Sequence, residues 1–296
     1  FEIPIAVCLV FGALISPTDP VAVMAVLKRL KVPPTLEATI AGESLFNDGV
    51  AVVIYSILVA IAFQVSGNGD PAHAIGFLQG LELFVVEAFG GALLGLVAGT
   101  FAFMLMRNVD DYVLEIIITL ALVTGAYALA LKLHVSGPIA MVIAGILIGN
   151  YGVRLAMSDI TQTHLRKFWD LIDEILNAVL FLLIGFEILV VQASVAIVVL
   201  SLATIVMVTV VRFISVGIPI KILGMRQRYV KGIIPVMTWA GLRGGISVAL
   251  VLALPDNEYK PLMLAICYAV VVFSIVVQGL TIEGLIRRLV PPMDDM

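Results

Sequence analysis

Long apolar segments separated by short polar connections run along the whole chain. Each is long enough for an α-helix to cross the hydrocarbon core of a bilayer, which takes roughly 20 residues, or more where the helix is tilted. The pattern predicts nine membrane-spanning helices, at about residues 3–28, 38–64, 76–106, 112–131, 136–153, 168–190, 192–220, 230–254 and 261–285. We therefore expect an all-α polytopic membrane protein.

The amino-acid composition supports this interpretation. Hydrophobic residues make up 61% of the 296 positions and charged residues 13%, whereas soluble globular domains contain about 45–50% apolar and about 25% charged residues. Cys8 and Cys267 lie inside apolar segments and the three histidines are isolated, so we expect no disulfide framework, zinc site or other cofactor. Because the chain opens on Phe1 without a methionine or a basic leader, we expect a fragment that has lost its beginning.

The lysines and arginines predict the orientation of the chain. With the N-terminus outside and nine alternating spans, the inner side receives Lys28, Arg29, Lys31, Arg107, Arg154, Arg166, Lys167, Lys221, Arg226, Arg228, Lys231, Arg287 and Arg288. The outer side receives Lys132 and Lys260. An excess of basic residues in cytoplasmic loops is the normal bias of membrane proteins. We expect a multi-pass cell-membrane protein with its N-terminus outside and its C-terminus in the cytoplasm.

The first span contains the sequence Ser16-Pro17-Thr18-Asp19-Pro20 near its middle. Because each proline removes an amide donor and clashes with the preceding turn, this sequence predicts a break in the helix. Non-helical backbone at this depth is tolerated only where it is buried in protein or lines an aqueous cavity. Freed carbonyls can bind a cation, and Asp19 can face the positive end of the following half-helix. A simple proline kink with a capping aspartate is the alternative.

The second span places four polar side chains on one helical face. With 3.6 residues per turn and Glu43 at zero, Asn47 lies near 40°, Ser44 near 100° and Asp48 near 140°. Leu45 and Phe46 point away. Two carboxylates, an amide and a hydroxyl form an oxygen-rich site that suits a hard cation. A buried hydrogen-bond network that joins two helices is the structural alternative.

Two arginines fall inside later spans. Arg212 lies midway along the seventh span and needs a carboxylate partner, for which Glu43 is the candidate. Arg243 lies among three glycines in the eighth span, so we expect a second broken helix whose negative half-helix end faces this arginine. The two interrupted spans run in opposite directions. Such a pair in two inverted halves is a sequence indication of a transporter binding site.

These residues resemble motifs of the sodium/proton antiporters of the NhaP/NHE type, the first family of monovalent cation:proton antiporters. The matching sequences are Ser16-Pro17-Thr18-Asp19-Pro20-Val21-Ala22, then Gly42-Glu43-Ser44-Leu45-Phe46-Asn47-Asp48-Gly49-Val50, then Gly241-Leu242-Arg243-Gly244-Gly245-Ile246-Ser247. The resemblance covers essentially the whole chain. It implies an NhaA-like inverted-repeat antiporter fold of thirteen helices with two crossed discontinuous helices, of which the nine spans are helices five to thirteen.

The resemblance also implies a role for each residue. Asp48 binds the cation or the proton, Ser44 and the Thr18 carbonyl help to coordinate Na⁺, and Asp19 lies close by. Asn47 belongs to the same cluster and, with Glu43 and Arg212, supports it, while Arg243 balances the crossed half-helices. The Asn47-Asp48 pair, where other members have Asp-Asp, resembles the pair found in the electroneutral exchangers, which move one cation for one proton.

The resulting functional prediction is a secondary transporter, not an enzyme, that exchanges Na⁺ or Li⁺ for H⁺. A K⁺/H⁺ antiporter of the same family, a cation channel and an intramembrane enzyme are the alternatives, although the sequence contains no paired nucleophile and base.

The expected partners are monovalent cations, protons, the lipid bilayer and a second copy in a homodimer, and no nucleic acid. The predicted divisions are residues 1–64 (broken helix plus Asn-Asp helix), 76–153 (partial dimerisation bundle) and 168–290 (second half of the core, with the crossing helix at 230–254).

Overall fold

The computed structural model describes residues 3–30, 32–63, 77–109, 111–152, 157–187, 194–225, 229–230 and 232–290, and these are helical with no β-strand. The helices are α1 (Ile5–Ile15), α2 (Val21–Leu30), α3 (Pro34–Phe63), α4 (Phe77–Arg107), α5 (Tyr112–Leu133), α6 (Gly137–Leu147), α7 (Asp159–Glu187), α8 (Val195–Leu223), α9 (Ile233–Ala240), α10 (Gly245–Leu252), α11 (Lys260–Phe273) and α12 (Gly279–Leu289). A π-helical turn extends α6 at Ile148–Gly152, and a second one, Ser274–Gln278, joins α11 to α12. The predicted all-α class is confirmed for these residues.

Five helices of the described chain are long and apolar enough to cross a membrane: Pro34–Phe63, Gln79–Arg107, Tyr112–Leu133, Val195–Leu223 and Lys260–Leu289. Helices α9 and α10, bent by 43° at their junction, form a sixth candidate if they are counted as one broken span. Helices α1 and α6 are apolar but shorter. Charged residues crowd the first half of α7, and residues 188–190 of that predicted span lie outside the described part. The part of the chain that the structure describes thus contains five or six candidate membrane-spanning helices, and the count of nine stays a prediction.

The chain divides into two compact units. One unit comprises Phe1–Asp48 and Leu183–Met296, and the other comprises Gly49–Leu182. The first unit has an apolar core in which α2 and the start of α3 pack with α9 and α12 through Leu27, Leu36, Val236, Ile282 and Ile286. This core lies beside both breaks predicted from proline and glycine, so it supports the backbone where regular helical hydrogen bonding stops.

In the second unit, α4 and α6 approach each other through small residues. A Cβ atom at Gly99 would lie 3.0 Å from the Cα of Ala144, and one at Gly91 would lie 2.5 Å from the Ser136 carbonyl oxygen. The glycine run of α4 therefore permits the close helix contact that small residues commonly provide in membrane proteins. Between α5 and α7, Trp169 donates a hydrogen bond of 3.2 Å to the hydroxyl of Thr119.

Candidate functional site

The break in the first predicted span extends from Ser16 to Pro20, between α1 and α2. Pro17 and Pro20 have no amide hydrogen, so the helical hydrogen-bond ladder cannot run through this segment. The Asp19 carboxylate caps the start of α2 by accepting the Val21 N–H at 3.0 Å. The break leaves carbonyl oxygens without helical partners, and these oxygens are available to other elements.

The second break lies between Ala240, the last residue of α9, and Gly245, the first of α10. Gly241 has φ −72° and ψ 59°, and the Leu242 N–H donates to the Ala240 carbonyl at 2.8 Å. This is an inverse γ-turn, which ends the helix within one residue. A Cβ atom at Gly241 would lie 2.5 Å from Arg212 Nε. The glycine therefore lets the chain turn directly against a buried guanidinium group.

The two breaks are in direct contact. The Asp19 N–H donates to the Leu242 carbonyl at 2.8 Å, and the Arg243 guanidinium donates to the carbonyls of Ser16 and Pro17, the latter at 3.0 Å. Arg243 is only 7% exposed. Its charge lies at the C-terminal end of α1, where the helix dipole favours a cation. One arginine thereby binds the carbonyl groups that the break in the first span frees.

One face of α3 packs on the first break. Asn47 and Ser16 bond reciprocally, since Asn47 Nδ2 donates to the Ser16 carbonyl at 2.8 Å and the Ser16 hydroxyl donates to Asn47 Oδ1 at 3.3 Å. The Asp48 carboxylate accepts the Thr18 N–H at 3.0 Å, and the Ser44 hydroxyl donates to the Thr18 carbonyl. The polar face predicted from helical periodicity is therefore the face that meets the break.

The opposite face of the same turn points away from this cluster. Leu45 is 42% exposed and Phe46 is 54% exposed, whereas Ser44 is 3% exposed. The difference follows from helical geometry, because residues one and two positions apart do not share a face.

Glu43 and Arg212, the two residues paired in the sequence analysis, form a bidentate ion pair. Arg212 Nη1 donates to Glu43 Oε1 and Nη2 donates to Oε2, both at 2.6 Å. Two parallel N–H···O bonds are the strongest form of this contact and fix its orientation. The pair ties α8 to α3 one turn before Asp48, so Glu43 is engaged by a cation of the protein itself.

Two buried hydroxyl groups at the breaks have no hydrogen-bond partner in the part of the chain that the structure describes. They are Oγ1 of Thr18, in the first break, and Oγ of Ser247, in the first turn of α10. Buried polar groups are nearly always bonded, so an unsatisfied one commonly marks a place for a water or an ion. Thr18 adjoins Asp48, which makes its hydroxyl a candidate ligand beside the carbonyl expected from the sequence.

The sequence analysis missed two residues next to the second break. The Ser274 hydroxyl accepts the Arg243 N–H at 2.8 Å and donates to Gln278 Oε1 at 2.6 Å. Both residues belong to the predicted span at 261–285, where serine and glutamine four positions apart interrupt an apolar run. The face argument applied to residues 43–48 would have found them.

The assembled cluster suits a small hard cation. It combines the carboxylates of Asp19 and Asp48 with hydroxyl and carbonyl oxygens from a broken helix, and these are the ligand types that such cations prefer. Broken helices that meet at buried charged groups, within a bundle of membrane-spanning helices, define a secondary membrane transporter.

Comparison with known proteins identifies the family within this class. The model of the sodium/hydrogen exchanger transmembrane family matches residues 1–288, and the chain belongs to that family. The Na⁺/H⁺ antiporter NhaP of Pseudomonas aeruginosa is 47% identical over 98% of this chain and 68% of its own length. The antiporter NhaH of Halobacillus dabanensis is 38% identical over 97% of this chain and 70% of its own. Family membership makes the chain an integral membrane transporter and not an enzyme.

Proposed function

We propose that the protein exchanges Na⁺ or Li⁺ for H⁺ across the membrane, one ion for one, with Asp48 as the group that binds either the cation or the proton. The family match and the names of the relatives support Na⁺/H⁺ exchange. The observation that carries the choice of Asp48 is its position: its carboxylate bonds the Thr18 N–H beside the buried Thr18 hydroxyl and Ser44.

The exchange depends on competition for one carboxyl group. A carboxyl group away from water favours its neutral, protonated form, whereas a nearby cation favours the ionised form. Cation binding at Asp48 therefore releases a proton, and proton binding releases the cation. Ser44 and Thr18 supply neutral oxygen ligands for Na⁺, and Asp19 and Asn47 complete the polar surroundings. An inward proton gradient can then drive Na⁺ out of the cell.

The neighbouring charges have supporting roles in this proposal. Glu43 is bonded on both oxygens by Arg212, so of the two carboxylates on this polar face of α3, Asp48 remains for exchange. Arg243 holds the carbonyls of the first break and balances the half-helix ends there. The removal of either arginine should therefore disturb the site indirectly.

The transport cycle that fits these features is alternating access in an NhaA-like inverted-repeat fold. In this proposal the nine predicted spans are helices five to thirteen of a thirteen-helix transporter, with the N-terminus of this chain outside and its C-terminus in the cytoplasm. Residues 1–64 and 168–290 form the two halves of the ion-binding core, and residues 76–153 form part of the dimerisation bundle of a homodimer. Movement of one bundle against the other carries the bound ion across.

A K⁺/H⁺ antiporter and a cation channel are the competing functions. The test is ion-driven proton flux in proteoliposomes that contain the full-length protein, with Na⁺, Li⁺ and K⁺ supplied in turn. The proposal expects Na⁺ and Li⁺, but not K⁺, to drive proton counterflow without net charge movement. A K⁺ response of equal size would favour the K⁺/H⁺ antiporter, and cation flux without proton counterflow would favour the channel.

A further inference from the structure

The π-helical turn Ser274–Gln278 adjoins the second break. The Arg243 N–H donates to the Ser274 hydroxyl at 2.8 Å, and that hydroxyl donates to Gln278 Oε1 at 2.6 Å. Ser274 is 1% exposed and Gln278 is 6% exposed, so water does not replace either bond. A continuous buried chain of hydrogen bonds therefore runs from the backbone of the break to the Gln278 side chain.

Both the backbone and the side chain of Arg243 form hydrogen bonds. Its N–H is an orphan donor, because the residue lies between two helices, and Ser274 supplies the acceptor. Its guanidinium group reaches the Ser16 and Pro17 carbonyls in the first break. Ser274 therefore bonds the backbone of the residue whose side chain binds the first break.

Ser274 and Gln278 are the first and last residues of a widened, π-helical turn. The Gly279 N–H bonds the Ser274 carbonyl, five residues back, in place of the usual four-residue spacing. Single π-turns inside α-helices occur frequently at functional sites. A Cβ atom at Gly279 would also lie 4.0 Å from Leu242 Cδ1, so the second break packs against this turn through a side chain as well.

Gln278 lines one small cavity together with Arg212, the other buried arginine. Arg243, Thr238 and Gly241 line the same cavity. Arg212 Nε points to this region without a hydrogen-bond partner among the described residues, and Gly241 leaves it room. Gln278 and both buried arginines therefore line the same small cavity.

We propose that Ser274 and Gln278 are positioning residues for ion exchange: a buried hydrogen-bond relay that fixes the Arg243 backbone and, through it, the carbonyls and carboxylates of the first break. The inference rests on the proposed exchange function. It predicts that loss of the relay alters ion binding itself, and not only the amount of folded protein.

The test compares Ser274→Ala, Gln278→Leu and the double variant in proteoliposomes of the full-length protein. Ser201→Ala is the matched control, since Ser201 is also a buried serine in the same unit and its hydroxyl has no partner in the described chain. Na⁺-driven proton flux is measured against Na⁺ concentration and pH, and melting temperature is measured in parallel. Ser274→Thr, which keeps the hydroxyl, is the rescue variant.

We expect Ser274→Ala to raise the KM for Na⁺ about tenfold and to shift the pH profile, because the Arg243 N–H loses the acceptor that Ser274 supplies and the break relaxes. Ser274→Thr should recover most of the affinity, and the double variant should be no worse than Ser274→Ala, because members of one relay are not additive. Ser201→Ala should retain the wild-type KM.

Two results would overturn the proposed relay. The first is a wild-type KM and pH profile in Ser274→Ala, with or without a lower melting temperature. The second is a double variant in which the effects of the two single substitutions on KM add fully. If instead the wild-type protein shows no Na⁺-driven proton flux, the proposed function fails, and this failure is visible before any variant is measured. If Ser274→Ala does not fold, Gln278→Leu alone decides the question, and a wild-type KM and pH profile in that variant would overturn the relay.

Discussion

The backbone N–H of Asp19 donates a 2.8 Å hydrogen bond to the carbonyl of Leu242, and this bond joins the breaks of two helices that are far apart in the sequence. Each break thereby satisfies a backbone group of the other that a continuous helix would have satisfied itself. Backbone groups in a membrane must be bonded within the protein, so two breaks in contact are more stable than either would be alone.

Gly244, in the second break, packs closely against Asp19 in the first. A Cβ atom there would lie 2.5 Å from Asp19 Oδ2 and 2.6 Å from Asp19 Cβ. We expect Gly244→Ala to push Asp19 away from the second break and to reduce Na⁺-driven proton flux at least about tenfold, since small misplacements at a functional site have large effects. Gly284→Ala is the control, because a Cβ atom at Gly284 meets nothing within 4 Å. Equal flux in the two variants would contradict the close contact.

The substitution Thr18→Val distinguishes two roles of the Thr18 hydroxyl: binding Na⁺ and stabilising the fold. Its hydroxyl is buried without a partner among the described residues, so Thr18→Val removes no hydrogen bond of the protein itself. We expect the melting temperature without Na⁺ to stay the same or rise, and the KM for Na⁺ to rise about tenfold, the effect of losing roughly 1.4 kcal/mol of binding. Thr204→Val, at a buried threonine of α8, is the control. An unchanged KM in Thr18→Val would exclude its hydroxyl as a ligand.

Arg212→Ala tests the ion pair with Glu43. Removing Arg212 leaves the Glu43 carboxylate, which is 28% exposed, without its cation, at a cost below the roughly 3–5 kcal/mol of a fully buried pair. We expect a clearly lower melting temperature, measured on the purified protein in detergent. The double variant Glu43→Ala/Arg212→Ala should lose less stability than the sum of the single variants, because it leaves no unpaired charge.

The exposed Arg288→Ala, at the end of α12, is the control for loss of a positive charge. A wild-type melting temperature in Arg212→Ala would mean that the pair contributes nothing to the folded state. Additive single and double variants would mean that the two residues act separately.

Local patterns in the sequence were sufficient to predict several features of this candidate site. Proline chemistry predicted the break at Ser16–Pro20, and helical periodicity predicted the face that carries Glu43, Ser44, Asn47 and Asp48. Both are short-range effects, since they depend on neighbours within about one turn. The contact of Arg212 with Glu43 could be proposed from charge balance, because a buried arginine needs an anionic partner.

Contacts that depend on tertiary packing could not be predicted from the sequence. The bond between Arg243 and Ser274 depends on how α11 lies against the second break, and no local pattern contains that information. The count of nine spans stays a prediction, because the described residues contain five candidate spans, or six with the bent pair α9 and α10. Among the predicted spans, 3–28 consists of two short helices, α1 and α2, and 168–187 lies within the single long helix α7.

The most direct test of the central claim is Na⁺-driven proton flux in proteoliposomes that contain Asp48→Asn. The substitution keeps the shape of the side chain and removes the charge that binds either ion. Asp173→Asn, at an exposed position of α7, is the matched control. We expect flux at the level of empty vesicles for Asp48→Asn, wild-type flux for Asp173→Asn, and similar melting temperatures for both. Normal exchange by folded Asp48→Asn would show that the exchanging carboxylate lies elsewhere.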